Sequence, residues 1–551
     1  MMHTDEDSAA LAESARILRS RSNSQVPISR LPDEILLIIF KYVEEETRLS
    51  VIDDGDGDGD GDSDESDYDD DDDFEDDDVP ACLAVTHVCG RWRNVALECP
   101  TLWRFIGFNS TSWLDDMLER SQQVPLVVNC HPFRFMLAER LEKILLHLPR
   151  IEYLEFHAIS CDADRIMELL SSQPAPMLET FKIAFSGMLS PTESTTNTIF
   201  QGEAPLLRSL QVINCGRRWT SCTFDGLRTL CVGTTQLSDL LTTLQRMPSL
   251  EQLTFMGGLL PSNQPIPINS KVPLARLKNL ALEGTWSQDA VLLRHLDLPV
   301  DIKISIRHLS SEGLQPIVDL LSVMDRHPYE SGPVFRSLRA VQSEPDCYSV
   351  QFSTSTTINV CDDIWNPQDD DIRLTIEFDY CEDVINESDA ADPRDLVFGM
   401  CNIIAQRKPQ TSFAGQFEFI HVEGCPGFIR CLTAALQIVE GSPQVPYPSL
   451  RVLRLQGIPF EGDELQGLVD VLTMRVQKDV PLVLVLLSWS AVSDILVISE
   501  NHAHPVNYLV QCVLCCGLHT LRDHMKPAWN EELYGGVPLF TRGRAATEHH
   551  G

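Results

Sequence analysis

Leu250-Glu251-Gln252-Leu253-Thr254-Phe255 carries apolar side chains at its first, fourth and sixth positions and mostly polar ones between. Alternation over its last residues is the pattern of a strand with one buried face. The phrase is not isolated. It occurs as Ile151-Glu152-Tyr153-Leu154-Glu155-Phe156, Leu178-Glu179-Thr180-Phe181-Lys182-Ile183, Leu207-Arg208-Ser209-Leu210-Gln211-Val212, Leu227-Arg228-Thr229-Leu230-Cys231-Val232, Leu277-Lys278-Asn279-Leu280-Ala281-Leu282 and Leu450-Arg451-Val452-Leu453-Arg454-Leu455. Several copies follow a proline, as at Ala204-Pro205 and Met247-Pro248.

The first six copies recur at roughly 20–29 residues, the leucine-rich-repeat period. No copy can bury its inward side chains alone, so the copies are expected to stack. Residues 150–530 are therefore read as an irregular leucine-rich-repeat-like α/β solenoid. Alternate residues would then face the concave surface. Glu155, Gln211, Thr254, Ala281, Glu283 and Arg454 are the candidates for holding a target protein. The Asn or Cys expected after each strand is present only as Cys215. Residues 309–441 are irregular and hold an acidic patch around Asp362 to Asp395. Further strands are expected at Ile302–Ile306, Leu374–Phe378, Phe417–Val422 and Leu482–Leu487.

Upstream lies Ile28-Ser29-Arg30-Leu31-Pro32-Asp33-Glu34-Ile35-Leu36-Leu37-Ile38-Ile39-Phe40-Lys41-Tyr42-Val43. Pro32 suits the first position of a helix, where its missing N–H costs nothing. Asp33 and Glu34 complement the positive end of the helix dipole. The body is apolar on nearly every face and requires partners on two sides. Glu44 to Asp78 follows, rich in Asp and Gly, and too polar to bury apolar area; it is expected to be disordered. Order is expected again from Val79, through Cys82, Leu83, Val88, Cys89, Trp92, Val95 and Ala96 to Leu102-Trp103.

The 551 residues carry a formal net charge of −38, and Asp53–Asp78 alone holds about 18 acids with no Lys or Arg. Such a charge repels phosphate backbones and anionic lipid, which argues against nucleic acid and membrane partners. The 17 cysteines are an odd, scattered set. They read as reduced thiols of the cytosol or nucleus. Met1–Asp7 lacks the features of a signal peptide, and the run Pro481–Leu487 is too short to span a bilayer. The sequons at Asn109 and Asn386 are then expected to be unused.

The two helical segments resemble the F-box family. Leu31-Pro32-Asp33-Glu34-Ile35-Leu36 is similar to its opening block, Val88-Cys89-Gly90-Arg91-Trp92-Arg93-Asn94-Val95-Ala96 to its second, and Leu102-Trp103 to its closing pair. The departure is the insert at 47–79. The resemblance implies a small all-α module that binds the Skp-type adaptor of a Skp–cullin–F-box ubiquitin ligase, and through it a cullin scaffold. It implies adaptor contacts from Leu31, Pro32, Ile35, Ile38, Ile39, Val88 and Cys89, and a module core containing Trp92, Val95 and Trp103.

The resulting expectation is an α+β multidomain chain. It comprises a flexible segment 1–27, an F-box-like module 28–106, a connecting helical segment 107–149, the solenoid, and a flexible tail 531–551. No nucleophile elbow, phosphate loop, dinucleotide fingerprint or zinc-protease helix is present. Asp54–Glu65 matches a calcium-loop pattern only formally, since Gly61 stands where an apolar residue is needed and no helix follows. Cys512, Cys515, Cys516, His519 and His524 lack the second cysteine pair of a closed zinc site. Ser63 and Ser66 are possible phosphorylation sites that would add charge to charge. No cofactor, metal or catalysis is expected. The reading is a substrate receptor, with an adaptor-binding scaffold that delivers nothing as the alternative.

Overall fold

The computed structural model describes residues 25–53, 81–107, 113–129, 138–186, 198–215, 224–260, 271–299, 301–308, 314–326, 335–344, 347–353, 372–379, 417–424, 428–438, 445–458, 463–478, 484–488, 495–500 and 508–513, with a few single positions besides. The chain is mixed α/β, with mostly parallel strand pairing. It divides into two compact units, residues 1–227 and 228–551.

The first unit opens with a 3-10 turn at Pro27–Arg30 and helix α1 (Asp33–Asp53). Helix α1 runs through 47–53, where the insert was expected to have begun. Leu49, Val51 and Ile52 make this stretch unlike the Asp-Gly tract that follows. The remainder of the insert lies outside the described residues. Helices α2 (Ala81–Thr86) and α3 (Gly90–Leu97) pack against α1. Leu36 and Phe40 of α1 are buried with Cys82, Leu83, Val85, Val95 and Ala96. A 3-10 turn at Pro100–Trp103 closes this group. The Trp103 indole N–H donates to the Ala96 carbonyl at 2.9 Å, which satisfies the one polar atom of a buried ring.

Strands β1 (Phe105–Ile106), β2 (Leu126–Asn129), β3 (Ile151–Ile159), β4 (Thr180–Ser186) and β5 (Ser209–Ile213) follow, each parallel to the next. Helices α4 (Leu114–Arg120), α5 (Ala138–Leu145) and α6 (Ala163–Leu170) lie between them in sequence. The segment 107–149 is thus not only helical. Its Leu126-Val127-Val128 forms a strand, because parallel neighbours on both sides pair its backbone.

The second unit carries β6 (Thr229–Val232), a short β7 (Thr235–Gln236), helix α7 (Leu237–Leu244), β8 (Gln252–Met256), short β9 (Leu259–Leu260) and β10 (Val272–Pro273), and β11 (Asn279–Gly284). Helix α8 (Trp286–Arg294), short β12 (Leu296–Asp297), β13 (Lys303–His308), helix α9 (Leu314–Arg326), β14 (Ser337–Glu344), β15 (Cys347–Ser353) and β16 (Ile372–Asp379) come next. Then follow β17 (Phe419–Glu423), α10 (Phe428–Leu436), β18 (Val452–Gln456), α11 (Glu464–Gln477), β19 (Leu484–Ser488), β20 (Ile495–Glu500) and β21 (Tyr508–Val513). The main pairings run β6–β8–β11–β13–β16 in parallel, then antiparallel through β16–β15–β14, then parallel again along β14–β17–β18–β19. β20 and β21 add antiparallel at the end. The expected strands within Ile302–Ile306, Leu374–Phe378, Phe417–Val422 and Leu482–Leu487 are all present as β13, β16, β17 and β19.

Every copy of the opening phrase forms a strand, and in every copy but Ile151–Phe156 the leading apolar residue sits just before that strand. A turn fixes the entry. The N–H of Leu178, Leu207, Leu227, Leu250, Leu277 and Leu450 donates to the carbonyl three residues earlier, at Ala175, Ala204, Phe224, Met247, Leu274 and Tyr447 respectively. Both ends of each turn are buried. Proline occupies the second position at Pro176, Pro205, Pro248 and Pro448, where its fixed φ suits a turn. The inward triads such as Leu250, Leu253 and Phe255 form the core. The turn after β8 needs glycine: Gly257 has φ +108°, and a Cβ there would meet Thr234 Oγ1 at 2.8 Å.

Arg150 is a buried charge in the first unit. Its guanidinium donates to the carbonyls of Leu118 (3.2 Å) and Val124 (2.9 Å) and to Ser121 Oγ (3.1 Å). It therefore ties the end of α4 to the entry of β3. Arg150→Met would remove the donors to the Val124 carbonyl and the buried Ser121 hydroxyl, while the Leu118 carbonyl keeps its bond from Ser121. We expect a loss of about 3 kcal/mol in stability by chemical denaturation, well beyond a surface Arg→Met change.

Candidate functional site

Helix α1 is apolar on two faces. Leu36 and Phe40 point into the unit, while Ile35 (41% exposed), Ile38 (50%) and Tyr42 (69%) lie at helical spacing on the outer face. Pro32 is exposed, and Leu31 and Ile39 are half-buried. From the second segment, Val88 (56% exposed) and half-buried Cys89 occupy the corner between α2 and α3. Val95 and Trp103 are buried. Trp92 is only half-buried and stacks at a tilt on Phe40, ring centres 5.0 Å apart. Sequence reasoning passed over Val26, Ile28 and Tyr42, all exposed apolar side chains of this region. Tyr42 stands seven residues after Ile35 and four after Ile38, so helical spacing was the available signal.

The two segments are joined directly. Arg91, at the start of α3, donates Nη1 to the Ser29 carbonyl and Nη2 to the Leu31 carbonyl and to Asp33 Oδ1 (2.6 Å). The corner holding Val88 and Cys89 is thereby tied to the turn holding Leu31 and Pro32. Exposed aliphatic side chains on α1 and on the corner bonded to its leading turn form a surface suited to burial against another protein. Each such side chain is worth roughly 1–2 kcal/mol when covered.

The six sheet-face candidates lie at alternating, half-buried positions of their strands. They fall into two groups. In the first unit Glu155 and Gln211 share a row with Asn129 and Lys182. Glu155 is committed within it: Lys182 Nζ lies 3.2 Å away, and the Tyr153 hydroxyl donates to the same carboxylate oxygen. Burial pushes the Tyr153 phenol above its usual range, and Glu155 adds to the shift. Burial alone would lower the Lys182 ammonium, but Tyr153 and Glu155 outweigh it and the group is raised.

In the second unit one row crosses Thr254, Ala281, Ser305, Thr375, Gln351, Arg339, His421 and Arg454 on successive paired strands. Its first half is a depression of about 530 Å³, whose walls include Gln252, Asn279, Lys303 and Glu377. The dip follows from side-chain size, since Thr, Ala and Ser stand where the later strands carry Arg and His. Glu283 lies one pleat further along, in register with Arg307 and then Glu377. Arg454 belongs to the far half of the row, next to His421. The depression offers amide, hydroxyl and two charged groups, which read hydrogen bonds and charge.

His421 is buried, and its pKa falls to about 3, through burial first and then the nearby positive Arg454 and Arg339. It is neutral in the fold at neutral pH. Among the described residues no cluster of three or more His, Cys, Asp or Glu side chains is arranged to hold a metal ion, and no helix is long and apolar enough to cross a membrane. Cys82, Cys89, Cys99, Cys161, Cys215 and Cys231 carry thiols, not disulfides. Of Cys512, Cys515, Cys516, His519 and His524, which the sequence argues against as a zinc site, only Cys512 is described; Asp54–Glu65, Ser63, Ser66, Asn109 and Asn386 lie outside the described residues.

The depressed His421 pKa sets a pH dependence. The unfolded imidazole binds a proton below about 6.5 while the folded one does not until about 3. Stability contributed by this group is therefore intact above pH 6.5 and declines as pH falls toward 3. At pH 5 the penalty is ~2 kcal/mol. In denaturant melts of His421→Gln at pH 7.5 and 5, we expect a smaller acid-induced loss than in the wild type. Parallel losses in both proteins would show that His421 stays protonatable.

No family model and no curated protein matches the chain.

Proposed function

We propose that the chain is a non-catalytic substrate receptor of a Skp–cullin–F-box ubiquitin ligase. On this reading the helical group α1–α3 is an F-box-like module and docks the Skp-type adaptor. The strand-bearing region is leucine-rich-repeat-like and presents its polar sheet face to a target protein. The observation that carries the reading is the outward apolar face of Ile35, Ile38 and Val88, set beside Pro32 and held across the acidic insert by Arg91. A helix whose second apolar face is left exposed by the described residues is stabilised by a partner. The motif blocks described above supply the kind of partner. A receptor needs no catalytic residue, because holding a target near a charged ubiquitin carrier raises its effective concentration.

The test is capture of purified Skp-type adaptor by the full chain. Wild type is compared with Leu31→Ala plus Pro32→Ala, and with Ile38→Glu, whose parent side chain is half exposed. Recovery should drop at least about tenfold in both variants while their melting temperatures stay near wild type, because a charge in a dry apolar contact is strongly disfavoured. Equal recovery by all three, or by none, overturns the assignment.

A further inference from the structure

The turn that presents Leu31 and Pro32 lies at the surface. Its 3-10 segment Pro27–Arg30 contains no buried residue. Its own hydrogen bonds are local, from Ser29 N–H to the Val26 carbonyl (3.0 Å) and from Leu31 N–H to the Ile28 carbonyl (3.2 Å). The Pro32 carbonyl accepts from the N–H groups of Ile35 and Leu36, which joins the turn to α1. Arg91 reaches the turn from α3. Its fork reaches the carbonyls of Ser29 and Leu31, two residues apart, and so orients two peptide planes at once. These contacts close a separation of 60 residues or more in sequence, across the acidic insert. The third contact, to Asp33 Oδ1, is made with a side chain that is 60% exposed. It adds little beside the carbonyl contacts, since exposed ion pairs are weak.

Resting on the docking reading above, we propose that Arg91 is a positioning residue. It holds the Ser29–Pro32 turn in the shape that the adaptor binds, and acts through that turn without being part of the contact. When Arg91 is lost, the turn samples other shapes, and only a fraction of molecules is ready to bind. Apparent affinity falls by that fraction. The loss appears in association, because the complex, once formed, holds the turn from the other side. Lysine is a poor substitute: its ammonium is a compact point charge and cannot span two carbonyls as a planar fork does.

Association and dissociation rates of the full chain with purified Skp-type adaptor test this, for wild type, Arg91→Ala, Arg91→Lys and Asp33→Asn, each with its melting curve. We expect Arg91→Ala to slow association about tenfold with dissociation within twofold of wild type. Arg91→Lys should fall between, Asp33→Asn should match wild type, and all four should melt within a few degrees of each other. Unchanged association in Arg91→Ala overturns the positioning role and leaves the docking reading standing. A loss carried by faster dissociation also overturns it, since Arg91 would then be a contact. So does slowed association that accompanies a collapse in melting temperature, which would make Arg91 a support of the fold alone. Failure of the wild type to bind adaptor overturns the docking reading itself, and the positioning role with it.

Discussion

A turn–strand phrase such as Met247–Phe255 has its inward side chains on one edge of a thin element. Leu250, Leu253 and Phe255 leave water only when a neighbouring phrase covers them, so each strand depends on the next one. The backbone follows the same rule. The N–H just after the leading apolar residue donates to the preceding phrase, as Glu179 to the Glu152 carbonyl, Arg208 to Glu179, Lys278 to Glu251 and Arg451 to Glu418. That position lies at the edge of the stack and carries charge. Its signs are mixed, and some stacked neighbours attract: Lys278 and Arg228 both reach Glu251, and Arg336 reaches Glu418. These exposed pairs are worth little individually. They avoid the repulsion that a column of one sign would impose.

This dependence explains what is legible in the sequence. The seven phrases are readable because the constraint is local: a buried residue, two residues of turn or strand, then alternation. The same constraint hides β2, which has the short β-branched run of a strand without the leading phrase spacing. It also hides the antiparallel β14–β15–β16 excursion. Alternation in Arg339–Val341 or Ser349–Gln351 reveals a strand but not which neighbour it pairs with, or in which direction. The irregular composition of 309–441 is the trace of that excursion in the sequence.

The candidate surfaces divide in the same way. The outward stripe of α1 follows from helical period, and a blind spot is Tyr42, whose hydroxyl disguises a largely apolar face. The sheet-face positions follow from strand period, and all six fall at half-buried positions. Period says nothing of lateral neighbours. It cannot reveal that Glu155 is bound up with Lys182 and Tyr153, or that Thr254 and Ala281 share a depression with Ser305 and Thr375. Arg91 is the extreme case. Its partners are near residue 30, and no local pattern carries information over that distance.

The two surfaces differ in physics, and the difference fits the division of labour in the proposed receptor. The helical face is aliphatic, so its free energy comes from removing apolar area from water; it demands a partner of matching shape and is insensitive to salt. The sheet face has a depression walled by Gln, Asn, Thr and Ser with single charges at Lys303 and Glu377. Polar faces of this kind contribute less affinity per unit area but reject partners that leave their groups unpaired. A constant adaptor suits the first surface and a selected target suits the second. Arg91 links this scheme to the acidic insert. It bonds α3 directly to the turn ahead of α1, so the docking face is held by contacts on either side of the insert and does not require the insert to be short.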